Sequence, residues 1–323
     1  MTRKNAPEKK PKHNPVDPDA QGPTPEDGSE AQGASTNQPD AEASPRVVTR
    51  SISEWRNKLA IGVRTGEGPP KRDFGFVDYY TFHERWIQQQ RRKQKGITEA
   101  TIATMLAARM LTHLGDQEFH IPQDERTIPQ DFNQRMLAVE SLTQDDFLTM
   151  WVNFRIEAIG TDLELDLICP RCGREFGWVS DLSTMDVKVV GDEAATQWEV
   201  ELETGVPYPE GRAKRLLVDR PRWKMMTEAR PDGTDDFGTI KALSMKHGIV
   251  KPLDVESRTV LTLDRLDMVR KLDLETFTAE MDAHSAGVDF AFDSQCPRCR
   301  HDWTHIVDWT VDSFFSISSG SAQ

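Results

Sequence analysis

Every cysteine of this chain lies in one of two identical tetrapeptides, Cys169-Pro170-Arg171-Cys172 and Cys296-Pro297-Arg298-Cys299. Thiolates are soft ligands, and a two-residue spacing lets one turn present both sulfurs to a single ion. Four thiolates fill a tetrahedral zinc shell and leave no position for water or substrate, so Cys169, Cys172, Cys296 and Cys299 predict a structural Zn2+ site. Proline stiffens each turn, and glycine after the second cysteine tolerates the left-handed backbone such a turn often needs. Gly173 fits this. Arg300 stands at the equivalent place in the second copy, where that backbone costs a non-glycine residue roughly 1 kcal/mol, and it predicts a strained or differently shaped turn. The competing readings are two pairs of unbound thiols or a four-thiolate iron site. Disulfides and thiol redox chemistry fit less well, because close Cys-x-x-Cys pairs favour a metal and no βαβ context surrounds them.

The repeat extends beyond the ligands. A shift of 127 positions, the distance from Cys169 to Cys296, lays Asp162 on Asp289, Asp166 on Asp293, Phe176 on Trp303, Val179 on Ile306 and Asp181 on Asp308. Each copy reads as an alternating strand, a cysteine turn and a second alternating strand, the pattern of a zinc-ribbon hairpin. Compact ribbons place their pairs roughly 15 to 20 residues apart, whereas 123 residues separate Cys172 from Cys296. The matching flanks offset that weakness, because two like hairpins can pair about a pseudo-twofold axis. His301 and His305 lie close to the second turn, but with four cysteines at hand they read as solvated strand residues.

The elements that must position these turns follow from composition and pattern. With 323 residues and 37% hydrophobic content the chain can bury a substantial core. It has no apolar run of membrane-spanning length and no apolar segment behind its early lysines, which predicts a protein outside the membrane and without a signal peptide. The net charge of −13 argues against general attraction to nucleic acid or an anionic membrane. Residues 1–46 lack Leu, Ile, Phe, Trp and Tyr and are rich in proline, which predicts a disordered tail. Residues 47–70 read as a short docking segment carrying Ile52, Trp55, Leu59 and Ile61, followed by a Gly/Pro-rich linker.

A mainly helical region is expected over 71–160. The aromatic stretch Phe74 to Tyr80 leads into a helix bearing Phe82 and Trp86. A second helix is capped by Thr98, carries Ile102, Met105, Leu106 and Met110, and stops at Gly115. A third opens at Thr143 with Asp145 and Asp146 in its first turn, buries Phe147, Met150, Trp151 and Phe154, and ends at Gly160. The first hairpin spans 161–182. An inserted strand and helix region covers 183–287, with strands at 198–202 and 215–218 around a long loop at 205–211. Within it a polar turn is expected at 230–237, a helix at 240–245, and helical structure over 261–282 with one break. The second hairpin and a C-terminal tail occupy 288–323. The fold expected is thus α+β, with helices packed around the duplicated hairpins and a disordered N-terminal tail.

No serine-hydrolase elbow, zinc-protease helix, phosphate-binding loop or dinucleotide fingerprint occurs, so nothing in the sequence supports an enzyme. Over about residues 75 to 317 the order of elements, the two cysteine turns and the ending Asp308-Trp309…Asp312-Ser313-Phe314-Phe315 resemble the baseplate hub assembly protein family of contractile-tailed, T-even-like bacteriophages and related contractile injection systems. That resemblance implies a non-enzymatic assembly chaperone or minor baseplate component, whose partners are baseplate or tail hub proteins and whose place is the host cytoplasm during assembly or the virion baseplate. The alternative is a zinc-ribbon nucleic-acid-binding or transcription regulatory protein. A partner surface is expected on exposed aromatics at Phe74 to Trp86, in the 198–223 insert, and at Trp309 to Phe315.

Overall fold

A computed structural model describes residues 47–64, 68–124, 126–192, 195–228, 237–307 and 309–315. The expected N-terminal tail, the polar stretch at 229–236 and the segment after Phe315 lie outside them. The first half of the chain alternates strands and helices. Strands β1 (Val47–Ser51), β2 (Lys58–Val63) and β3 (Lys71–Phe76) precede helices α1 (Thr81–Lys93) and α2 (Glu99–Met110). Strands β4 (Leu111–Leu114) and β5 (Gln117–Glu118) then lead to α3 (Phe132–Ser141) and α4 (Gln144–Ala158). The hairpin β6 (Asp162–Ile168) and β7 (Glu175–Asp181) carries the first cysteine pair, and β8 (Asp186–Val190) follows.

The insert comprises β9 (Gln197–Tyr208), β10 (Gly211–Asp219), α5 (Lys224–Glu228), α6 (Phe237–Gly248), β11 (Ile249–Pro252), α7 (Leu263–Leu266) and α8 (Lys271–Ala283). Strand β12 (Gly287–Val288) returns to the main body. The second hairpin, β13 (Ala291–Gln295) and β14 (Asp302–Ile306), and the short α9 (Val311–Phe315) close the described chain. The sheets are small and antiparallel, ordered β2-β3-β4-β5, β1-β8-β12 and β11-β10-β9, with each cysteine hairpin a two-stranded sheet of its own. The architecture is mixed α+β. Among the described residues no helix is long and apolar enough to cross a membrane.

The main core is built on α2 and α4, which are buried nearly all round because apolar or small residues occupy most positions of both. Their starts follow the expected chemistry: the Thr98 side chain accepts the N–H of Thr101, and that of Thr143 accepts the N–H of Asp146. The end of α2 differs from expectation. It stops at Met110, where Leu111 turns extended to begin β4, and Gly115 instead turns β4 into β5 with φ +58°. The 52–61 segment docks on the chain's own core: Leu59 and Ile61 lie buried in β2 and Trp55 packs on the same core.

Most of the aromatics expected as a partner surface are interior, although Tyr80 stays 41% exposed and Phe82 is half-buried. Phe74, Trp86, Trp223, Phe314 and Phe315 are buried in the main core, and Trp309 packs against it. Each aromatic segment finds the others: Phe315 meets Tyr79, Trp151 and Phe154, and Trp223 stacks on Phe147 with ring centroids 3.7 Å apart. The helices also do not surround the hairpins. Only inner-face residues such as Leu163, Leu165 and Phe292 pack on the core, and Ile168, Val179 and Ile306 stay 62%, 59% and 74% exposed.

The insert has a second core of Val200, Val206, Leu216, Val218, Met245, Leu266 and Phe277. Its long loop is in fact strand: β9 and β10 run on to a tight turn after Tyr208, with a bulge in β9 that includes Gly205. There φ is +84°, and a Cβ would lie 2.3 Å from the Ala213 carbonyl oxygen, so only glycine fits. The buried Asp273 carboxylate accepts the freed N–H groups of Glu203, Thr204 and Gly205.

Two carboxylates at the start of α4, Asp146 buried and Asp145 half-buried, fasten the surrounding strands. Asp146 accepts the N–H groups of Ile61 (2.8 Å) and Gly62 (3.3 Å), and Asp145 accepts that of Ala286 at 3.1 Å with Arg220 3.8 Å away. Burial pushes the Asp145 carboxyl up to about 7, against the lowering pull of the Ala286 N–H and Arg220. Its folded pKa therefore exceeds the value of about 4 expected in the unfolded chain, so its contribution is most favourable at low pH and declines as pH rises from about 4 through about 7. Because 21% of its side chain remains exposed, solvent screening keeps the effect modest. Asp145→Asn retains an acceptor for Ala286 and removes the titration. Urea denaturation at pH 5 and pH 8 is expected to show a smaller loss of stability with rising pH in this variant than in the parent chain.

Candidate metal centre

The two hairpins have one and the same pairing. In the first, Glu164 faces Val179 and Ile168 faces Glu175; in the second, Ala291 faces Ile306 and Gln295 faces Asp302, the same register displaced by 127. The turns match as well. Cys169 N–H donates to Arg174 C=O and Gly173 N–H to Cys169 C=O, while Cys296 N–H donates to His301 C=O and Arg300 N–H to Cys296 C=O, all at 2.9 Å. Arg300 does not distort the second turn: it adopts φ +52° beside the +67° of Gly173. The hydrogen bonds of the turn thus outweigh the cost of placing an arginine in that region.

All four Sγ atoms lie within 4.8 Å of one another. The short approaches run between hairpins, Cys169 to Cys299 at 3.6 Å and Cys172 to Cys296 at 3.7 Å. A disulfide would bring the sulfurs to about 2.05 Å, so these are free thiols. Tetrahedral metal–sulfur bonds of about 2.3 Å give sulfur–sulfur edges of about 3.8 Å, close to the observed approaches. The cluster could hold a metal ion. Exchanging the hairpins turns one short sulfur pair into the other, and the equivalent residues Phe176 and Trp303 meet edge to face at 6.0 Å. Both sets of contacts join equivalent positions of the two hairpins.

Local electrostatics split the neighbouring thiols: against the lowering pull of the His301 N–H, burial and the sulfurs of Cys296, Cys169 and Cys172 raise the Cys299 thiol to about 11, while that of Cys296 moves the other way. The Cys296 thiol is lowered to about 6, first by the backbone N–H of Cys299, with Arg298 N–H adding to it. Cys169 and Cys296 are buried, Cys299 is half-buried and Cys172 is exposed, so the site has one solvent-facing corner. His301 stacks on Trp303 at 6.2 Å, and neither it nor His305 belongs to the ligand cluster.

Helix α4 sets where the hairpins emerge. Its buried Arg155 donates to the carbonyls of Gly160 (2.5 Å) and Asp162 (2.9 Å) at the root of the first hairpin, and to that of Phe314 after the second. Trp151 Nε1 donates to Trp309 C=O at 3.0 Å. The aromatic character of these residues was plain in the sequence. Their role as anchors was not, because the partners that tie in the end of the chain, Trp309 for Trp151 and Phe314 for Arg155, lie more than 150 positions away. Arg155 carried only the weak signal of a cation inside an apolar helix face.

No protein-family model, curated protein or solved structure matches the chain.

The left-handed backbone at Arg300 has a measurable consequence. Arg300→Gly is expected to raise the stability of the metal-loaded chain by roughly 0.5–1 kcal/mol, and Gly173→Ala to lower it by about 1 kcal/mol, as shifts of the denaturation midpoint.

Proposed function

We propose that Cys169, Cys172, Cys296 and Cys299 hold one structural Zn2+ ion, which staples two zinc-ribbon hairpins into a pseudo-twofold pair. In this reading the chain is a non-enzymatic assembly protein of a contractile-tail baseplate or tail hub, acting as an assembly chaperone or as a minor baseplate component. The observation that carries the zinc site is the cross-hairpin sulfur cluster, whose all-thiolate donor set and edge lengths suit zinc. With every ligand position taken, the ion has no room for substrate and serves the fold.

The assembly role is supported by the sequence resemblance, and the segment that carries it has a structural reason to be kept. Trp309, Phe314 and Phe315 fasten the second hairpin to α4, so the terminal motif and the cysteine turns work on the same element. The partners are baseplate or tail hub proteins, met in the host cytoplasm during assembly or in the virion baseplate.

The test is affinity purification of the tagged full chain from a cell producing the particle, with identification of what comes with it. Baseplate or hub proteins are expected at stoichiometric levels. Recovery of nucleic acid or transcription machinery instead would replace this reading with the zinc-ribbon nucleic-acid alternative. Finished particles distinguish the two forms of the proposal, because a permanent component is present in them at fixed copy number and a chaperone is not.

A further inference from the structure

We infer that the paired cysteine turns form a cationic docking tip for a short acidic segment of a partner protein. The inference rests on the metal-clamped pairing above and names the partner's chemistry. In a chain of net charge −13, the stretches Cys169–Arg174 and Cys296–His301 carry four arginines and no carboxylate. Arg171, Arg174, Arg298 and Arg300 are all exposed, and among the described residues none of their side chains has an ion-pair or hydrogen-bond partner. Each stands one or two positions from a cysteine, and the sulfurs lie within 4.8 Å of one another, so all four arginines stand on one small tip.

A divalent ion with four thiolates carries a formal charge of about −2, so the arginines exceed what is needed to offset it and leave the tip at about +2. The negative charge is largely inside, since Cys169 and Cys296 are buried, and the positive charge is outside. Exposed Pro170, Pro297 and Ile168 add apolar surface at the same turns. Guanidinium forks bind carboxylates in bidentate fashion, and desolvation beside apolar surface strengthens such pairs.

The size of the basic zone decides against nucleic acid. Directly behind the tip stand the exposed carboxylates Asp166 and Glu175 on one hairpin and Asp293 and Asp302 on the other. A nucleic-acid strand carries a phosphate every 3.4 Å or so of helix axis and would run on over them. A short acidic segment can end where the basic surface ends.

The experiment is a fluorescence anisotropy titration of the full, metal-loaded chain with a labelled hexaglutamate peptide, and with a labelled thymidine oligonucleotide of similar charge. Saturable peptide binding is expected at low salt, weakening about tenfold or more between about 50 and about 200 mM salt. A variant carrying Arg171→Gln, Arg174→Gln, Arg298→Gln and Arg300→Gly is expected to bind the peptide at least about tenfold less tightly with its metal content unchanged. Should that variant lose metal, Arg171→Gln with Arg298→Gln in a metal-retaining chain decides by the same loss of affinity. No peptide binding at low salt, or binding that survives removal of the arginines at full metal content, overturns the inference. Tighter binding of the oligonucleotide through the same arginines also overturns it, in favour of nucleic acid. A parent chain that carries no metal removes the clamp itself, an outcome separate from any of these.

Discussion

Both cysteine hairpins are rooted in a single buried helix, and the hydrogen bonds of Arg155 are the constraint on which their placement depends. One guanidinium binds the carbonyls of Gly160, Asp162 and Phe314, joining the entry of the first hairpin to the close of the second. A buried carbonyl left without a donor costs about 1–3 kcal/mol. Two-stranded sheets are marginal by themselves in water, so hairpins standing off the core need this anchoring. Asp145 and Asp146 do the corresponding work at the other end of α4, holding the backbone that leads to β12 and the turn of β2.

The four sulfurs meet at the tips of the same two hairpins. Binding of a structural zinc ion releases about 10–16 kcal/mol in small zinc-finger peptides, comparable with the whole stability of a typical domain. In the proposed reading such a clamp is strong enough to fix the mutual orientation of the two sheets, whose equivalent residues Phe176 and Trp303 also meet. Root and tip divide the labour. The helix determines where each hairpin leaves the core, and in the proposed reading the metal-bound cysteines determine how the two face each other. The insert between them folds around its own apolar cluster and is pinned to the main body through Trp223, whose Nε1 donates to Thr104 Oγ1 at 2.8 Å.

Much of this was legible in the sequence wherever the cause was local or repeated. The offset of 127 positions anticipated the common register of the hairpins, and Thr98 and Thr143 announced their helices because capping is a matter of one side chain and the next turn. Where the cause was a distant neighbour, pattern reading failed. Phe74, Trp86, Trp223 and Phe315 looked like surface anchors because the residues that cover them come from far along the chain. The switch from α2 to β4 at Leu111 carries no glycine or proline signal, and it is driven by pairing with β3. The bulge at Gly205 depends on Asp273, whose carboxylate reaches it from nearly 70 positions away. Arg300 failed in the opposite sense, since the turn's hydrogen bonds overrode the residue's own preference and kept the second copy like the first.

The claim that joins these elements is that one metal ion bridges the two hairpins through four thiolates. X-ray absorption at the zinc edge, together with metal analysis of the full chain purified without added metal, tests it most directly. One zinc per chain with four sulfur neighbours at about 2.3 Å is the expected result. A chain without bound metal, or a metal shell containing nitrogen or oxygen in place of sulfur, would contradict it.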